Sequence, residues 1–111
     1  MHRRILFICS QNKLRSPTAE AVYASHPDAD VDSAGLNHDA EVPLSPEQIE
    51  WADLILVMEK SHRNKLDKKF RKYLSGKRVA VLDIPDNYDY MESALVDLIK
   101  RRCAKFIPNP T

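Results

Sequence analysis

The sequence predicts an α/β fold: a small doubly wound four-stranded parallel sheet with helices on both faces, a three-layer sandwich. Three observations lead to it. Short apolar runs alternate with helix-start signals along the whole chain. The main runs are apolar at successive positions rather than at every second one, as in strands covered on both faces. The stretches between them are long enough for the crossovers that parallel neighbours need. At 111 residues the chain is read as a single domain, 1–111, with room for one core.

Arg4–Cys9 is the first apolar run and the first strand. A polar loop follows to Ser16-Pro17, where serine as N-cap and proline at the first helical position open a helix. Asp30–Ala34 alternates and stops at Gly35, a second strand. Ser45-Pro46-Glu47-Gln48 has the spacing of a capping box and starts a short helix. Asp53–Met58 is a third strand, and Ser61–Leu74 a basic helix broken at Gly76. Arg78–Leu82 is the fourth strand, halted by Asp83-Ile84-Pro85. Glu92–Cys103 closes the pattern as a helix with Leu95, Leu98 and Ile99 on one face.

Composition narrows the function. A formal net charge of +1 gives no bias toward nucleic acid, membrane or acidic partners. Lys60, Arg63, Lys65, Lys68, Lys69, Arg71, Lys72, Lys77 and Arg78 read as a solvated face rather than a nucleic-acid surface. Two distant cysteines build no disulfide framework and suit a reducing, cytoplasmic setting. The run Ile5–Ile8 behind His2-Arg3-Arg4 is too short for a signal peptide, and no stretch reaches the length of a membrane span. His2, His26, His38 and His62 show no metal-ligand spacing, so neither a metal nor another cofactor is expected.

In doubly wound sheets ligands bind beyond the carboxyl ends of the strands. That points to the loop after the first strand, Cys9-Ser10-Gln11-Asn12-Lys13-Leu14-Arg15-Ser16, where five residues separate cysteine from arginine. A tight arc between a strand and a helix N-terminus turns successive backbone N–H groups inward, a nest for an anion. Cysteine at its start puts sulfur at the bottom of the cradle. Arginine at its end can grip two phosphate oxygens side by side, and a cation placed against the helix dipole suggests an anion there. These groups together favour a negatively charged, nucleophilic Cys9 sulfur. With no glycine in the loop, Asn12 is the residue best suited to a left-handed conformation.

The stretch Ile5-Leu-Phe-Ile-Cys-Ser-Gln-Asn-Lys-Leu-Arg-Ser-Pro-Thr-Ala-Glu20 resembles the signature of the low-molecular-weight protein tyrosine phosphatases. Asp32-Ser33-Ala34-Gly35 is similar to the family's second strand and turn, and Val57-Met58-Glu59-Lys60-Ser61 to the end of its third strand. The resemblance implies hydrolysis of a phosphorylated protein or small phosphomonoester through a phosphocysteine on Cys9. Ser10, Gln11, Asn12, Lys13, Leu14, Arg15 and Ser16 would wrap the phosphate, with Arg15 as clamp. Asn12 would hold the loop's shape, Ser16 would stabilise the thiolate as leaving group, and Ser33 would brace the loop by bonding Asn12.

The family's proton donor is an aspartate followed by proline after the fourth strand. Here Asp83 lies two residues before Pro85 and Asp86 directly after it. Aligning Val79–Val81 on the family strand places Asp83 at the acid's position, with Asp86 the alternative. Tyr88 and Tyr90 would wall the pocket, as family tyrosines do.

Two departures stand out. The stretch from Gly35 to Trp51 is much shorter than in the family, and Leu14 stands where many members carry a second cysteine. Cys103 reads as structural. Competing readings are an arsenate reductase, which needs further cysteines, a phosphocysteine phosphocarrier, whose loops lack the closing arginine, and an anion-binding module without turnover. The sequence carries no signal for a particular oligomeric state.

Overall fold

The computed structural model describes residues 3–107; His2, one of the histidines weighed above, lies outside them. The chain runs β1 (Arg3–Cys9), α1 (Arg15–Tyr23), β2 (Ala29–Gly35), α2 (Pro46–Trp51), β3 (Leu54–Val57), α3 (Lys60–Phe70), a 3₁₀ turn (Arg71–Tyr73), β4 (Arg78–Val81) and α4 (Ser93–Cys103). The four strands form one sheet in the order β2-β1-β3-β4, every pair parallel. This is the architecture expected from the apolar runs, with β1 and β3 central.

Successive strand residues point to opposite faces, and β1 shows why both of its faces had to be apolar. Ile5, Phe7 and Cys9 join Leu54 and Leu56 of β3 under α1 and α4, with Ala19, Tyr23, Leu95, Ile99 and Cys103. Leu6 and Ile8 join Ile55 and Val57 on the other face, with Ile49 of α2 and Leu66 of α3. Each large aliphatic residue buried this way contributes about 1.5–3 kcal/mol. Among the described residues, no helix is long and apolar enough to cross a membrane.

Helix boundaries differ from expectation in two informative places. Ser16 was expected to cap α1, with Pro17 as its first residue, but the helix starts two residues earlier, at Arg15, behind Leu14 and without a side-chain cap. The reason is that the Ser16 hydroxyl is engaged with Cys9 and Asn12. Leu14 instead passes its carbonyl to Thr18, whose N–H donates at 3.1 Å. The basic helix ends at Phe70 rather than Leu74 and tightens into the 3₁₀ turn, after which Gly76 takes φ 77°. The capping box of α2 forms as read: Ser45 Oγ accepts from the Gln48 N–H at 3.3 Å, and Gln48 Oε1 accepts from the Ser45 N–H at 3.1 Å.

Candidate active site

The loop from Cys9 to Leu14 joins β1 to α1 at the carboxyl edge of the sheet. Its shape is set by where its carbonyls go. The Cys9, Ser10 and Gln11 carbonyls accept from the N–H groups of Leu36, Asn37 and Glu41, at 3.0, 3.0 and 2.9 Å. In a trans peptide the following N–H points the opposite way. Hence the Ser10, Gln11 and Asn12 amides turn toward the inside of the arc. The Asn12 N–H reaches Cys9 Sγ at 3.2 Å, and Asn12 takes φ 57°, the left-handed conformation anticipated for it.

Behind the sulfur lies a directed chain of hydrogen bonds. A carboxylate only accepts, so Ser33 Oγ gives its proton to Glu20. Its lone pairs then accept from Asn12 Nδ2 at 2.9 Å. The same nitrogen donates to Ser16 Oγ at 2.9 Å. That leaves the Ser16 proton for Cys9 Sγ, also at 2.9 Å. Asn12, Ser16 and Ser33 are all buried, so the order is held without competition from solvent. The Ser33–Asn12 and Ser16–Cys9 contacts join the residues that the resemblance named for support; Glu20, at the end of the chain, had not been singled out.

Arg15 is 4% exposed. Its Nη1 donates to Glu59 and, at 2.8 Å, to the Ile84 carbonyl. Nε lies 3.6 Å from Asp86 Oδ1. With Nη1 pinned, Nη2 and Nε form the edge that a phosphate can take in two parallel bonds. Cys9, Ser10, Gln11, Lys13, Leu14, Arg15 and Asp86 line a cavity of about 130 Å³. A larger one, about 400 Å³ between Arg3, His26 and Phe106, is remote from the loop; chemistry rather than volume marks the smaller as the site.

The two candidate acids part company. Asp86 lines the cavity with Cys9. Asp83 is exposed and faces a separate hollow beside Glu59, Lys60, Ser61 and Pro85. Leu82 and Ile84 on either side of it are buried under α1 and α4, and their N–H groups bond the Val57 and Met58 carbonyls at 2.9 Å each. Alternation then turns Asp83 away, with φ 55°. The alignment on β4 that placed Asp83 beside Cys9 is not matched by the geometry.

The tyrosines are not among the lining residues either. Tyr88 is half-buried against the core under α1 and α4. Tyr90 is exposed in a neighbouring groove with Lys13, Pro17, Glu41 and Val42. Among the described residues, no group of three or more His, Cys, Asp or Glu could hold a metal ion. Cys9 and Cys103 are both free and buried.

Glu59 and His62, at the start of α3, also touch the site and were missed. The Glu59 N–H donates to His62 Nδ1 at 3.1 Å, and His62 Nε2 lies 3.0 Å from Ser10 Oγ. Burial, reinforced by the Arg15 charge, pushes the His62 imidazole down to about 4. The trace in the sequence was the Glu-x-x-His spacing directly after β3, a capping-box pattern with histidine in the glutamine position.

Gly35 closes the back of the loop. A Cβ there would lie 2.5 Å from Ala40 Cβ, 2.7 Å from the Ser10 carbonyl and 3.0 Å from the Asn12 nitrogen. Two of those atoms are backbone of the loop itself, so the clash has to displace the cradle. Gly35→Ala is expected to cost about 1–3 kcal/mol of stability and to weaken phosphate binding about tenfold or more. Thermal unfolding and phosphate inhibition measure both. A variant that loses stability but binds phosphate normally would show that Gly35 serves packing alone.

A family model described as low molecular weight phosphotyrosine protein phosphatase matches residues 4–51. No curated protein matches the chain. Among solved structures, Wzb of Vibrio vulnificus, in complex with benzylphosphonate, is 25% identical with a TM-score of 0.76, over 96% of this chain and 97% of that one. A YwlE mutant from Bacillus subtilis is 27% identical with a TM-score of 0.69, over 93% and 97%. The YwlE arginine phosphatase of Geobacillus stearothermophilus shares the fold at 24% identity and a TM-score of 0.72, over 93% and 91%.

Proposed function

We propose that the loop hydrolyses phosphomonoesters through a phosphocysteine on Cys9, with Arg15 as clamp and Asp86 as proton donor, in keeping with the low molecular weight phosphotyrosine protein phosphatase model that matches residues 4–51. The observation that carries this is the Cys9 sulfur at the centre of inward donors: the Asn12 amide, the Ser16 hydroxyl and the edge of Arg15. Phosphate oxygens take the amides and the guanidinium edge, which sets phosphorus over the sulfur. Sγ attacks phosphorus, the bond to the leaving oxygen breaks, and Asp86 gives that oxygen its proton. Water then attacks the phosphocysteine and loses its proton to the Asp86 carboxylate. The S–P bond breaks, phosphate leaves, and Ser16 donates to the returning sulfur.

The substrate is a phosphorylated protein or a small phosphomonoester. No aromatic residue is among those lining the cavity, so the aromatic walls that favour phosphotyrosine are not provided by Tyr88 or Tyr90 as they stand. One structural neighbour is an arginine phosphatase, which makes phosphoarginine the informative comparison. Purified protein is to be assayed on p-nitrophenyl phosphate, a phosphotyrosine peptide and a phosphoarginine peptide, with rapid acid quench to trap a phosphorylated Cys9. Turnover with phosphate recovered on Cys9 is the expected result. Turnover without a trapped thiophosphate, or no turnover alongside tight phosphate binding, would replace the reading with a non-covalent or non-catalytic one.

A further inference from the structure

His62 is buried behind the loop and takes no part in the steps above. Its orientation is fixed from the helix side. As the third residue of α3 it accepts the Glu59 N–H on Nδ1 at 3.1 Å, so Nδ1 carries a lone pair and the ring proton sits on Nε2. Nε2 is 3.0 Å from Ser10 Oγ and therefore donates to it. A hydroxyl that receives a proton there keeps its own for another acceptor. Ser10 immediately follows the nucleophile and lines the cavity. The low affinity of the buried ring for a second proton keeps it in this form at neutral pH.

We propose that His62 is a positioning residue that aims the Ser10 hydroxyl into the loop, where its O–H donates to an oxygen of the bound oxyanion. The inference rests on the reading of the loop as a phosphate site. It adds to the backbone cradle a side-chain donor whose direction is set by a helix cap on a different strand's crossover. A donor to a charged oxygen is worth at least about a tenfold change in affinity.

The test uses two near-isosteric replacements that both satisfy the helix cap, since glutamate and glutamine are the ordinary capping-box residues. In His62→Gln the amide oxygen can accept the Glu59 N–H while the NH₂ donates to Ser10. In His62→Glu the second oxygen accepts from Ser10 instead and turns its proton away from the loop. Each is made alone and with Ser10→Ala, and phosphate inhibition of p-nitrophenyl phosphate hydrolysis is measured beside the melting temperature. Ser10→Ala is expected to weaken phosphate about tenfold. His62→Gln should stay within about threefold of wild type and His62→Glu should weaken phosphate by more than about tenfold, at similar melting temperatures. In the Ser10→Ala background the His62→Glu penalty should shrink to about threefold, the remaining effect of its charge. An equal penalty in both backgrounds, or a Gln variant as weak as the Glu one, overturns the proposal. A wild-type protein that phosphate does not inhibit would overturn the phosphate-site reading itself, and the inference with it.

Discussion

Replacing Cys9 with serine is expected to reduce turnover of p-nitrophenyl phosphate by about 10⁴-fold or more while leaving phosphate binding within about tenfold of wild type. The two halves of this result have separate causes. The covalent step needs a sulfur that can carry negative charge, and the donors around it are matched to that charge: the Asn12 amide at 3.2 Å and the Ser16 hydroxyl at 2.9 Å. A serine hydroxyl in the same place keeps its proton, since among the described residues no histidine or carboxylate is hydrogen-bonded to that position, whose partners are the Asn12 amide and the Ser16 hydroxyl. Binding, by contrast, depends on the inward amides, and those are held by the Leu36, Asn37 and Glu41 N–H groups on the far side of the loop. Serine is also slightly smaller than cysteine, so the core under α1 and α4 loses little. Calorimetric titration with phosphate, run beside the kinetic assay, separates the two effects. Turnover within a few-fold of wild type would end the phosphocysteine mechanism.

The second large effect concerns the acid. Asp86→Asn is expected to slow hydrolysis of an alkyl or unsubstituted phenyl phosphate by about 10²- to 10³-fold, but that of p-nitrophenyl phosphate by about tenfold at most. A good leaving group departs as the anion and needs little help; a poor one needs the proton. Asp86 shares the cavity with Cys9 and its Oδ1 lies 3.6 Å from Nε of Arg15, so the proposed acid is paired with the proposed clamp. At 61% exposure it is free to follow the leaving oxygen. Asp83→Asn should change either rate by no more than about twofold, because its carboxyl faces the hollow beside Glu59 and Lys60. The leaving-group dependence appearing in Asp83→Asn and not in Asp86→Asn would move the assignment back to Asp83.

Much of this was legible in the sequence, for identifiable reasons. The sheet was legible because β1 and β3 are buried on both faces and therefore read as unbroken apolar runs. The cradle was legible because its two ends, Cys9 and Arg15, are side chains at a fixed spacing and Asn12 is the loop residue that tolerates φ 57°. Ser33 bonding Asn12 followed from the family resemblance and is present at 2.9 Å. Ser16 was read two ways at once, as a helix cap and as a partner of sulfur, since a serine before proline supports both; its hydroxyl goes to the sulfur. The choice between Asp83 and Asp86 was not legible. It depends on how many residues continue the β4 alternation before Pro85 turns the chain, and Leu82 and Ile84 carry that alternation one step further than the apolar run suggested. Glu59 and His62 were hidden because they reach the loop only through the pairing of β1 with β3. The outward carbonyls are backbone groups, and no residue type announces them.

The division of β1 between its two faces has a consequence for where the nucleophile can be. Ile5, Phe7 and Cys9 face α1 and α4, while Leu6 and Ile8 face α2 and α3. The sulfur therefore stands on its side of the sheet by parity: it is the third odd-numbered member of a row whose first two are anchored in the core. A single residue inserted or deleted between Ile5 and Cys9 would bring a hydrophobic neighbour into register and swing the thiol through half a turn to the other layer. Changes in pairs would preserve the side but shift the loop along the strand by nearly two residue rises. Conservative replacement of Ile5 or Phe7 alters packing alone, whereas a change in their number alters which helices the sulfur sees. The strand is thus both the wall of the core and the gauge that measures out the position of the reacting atom.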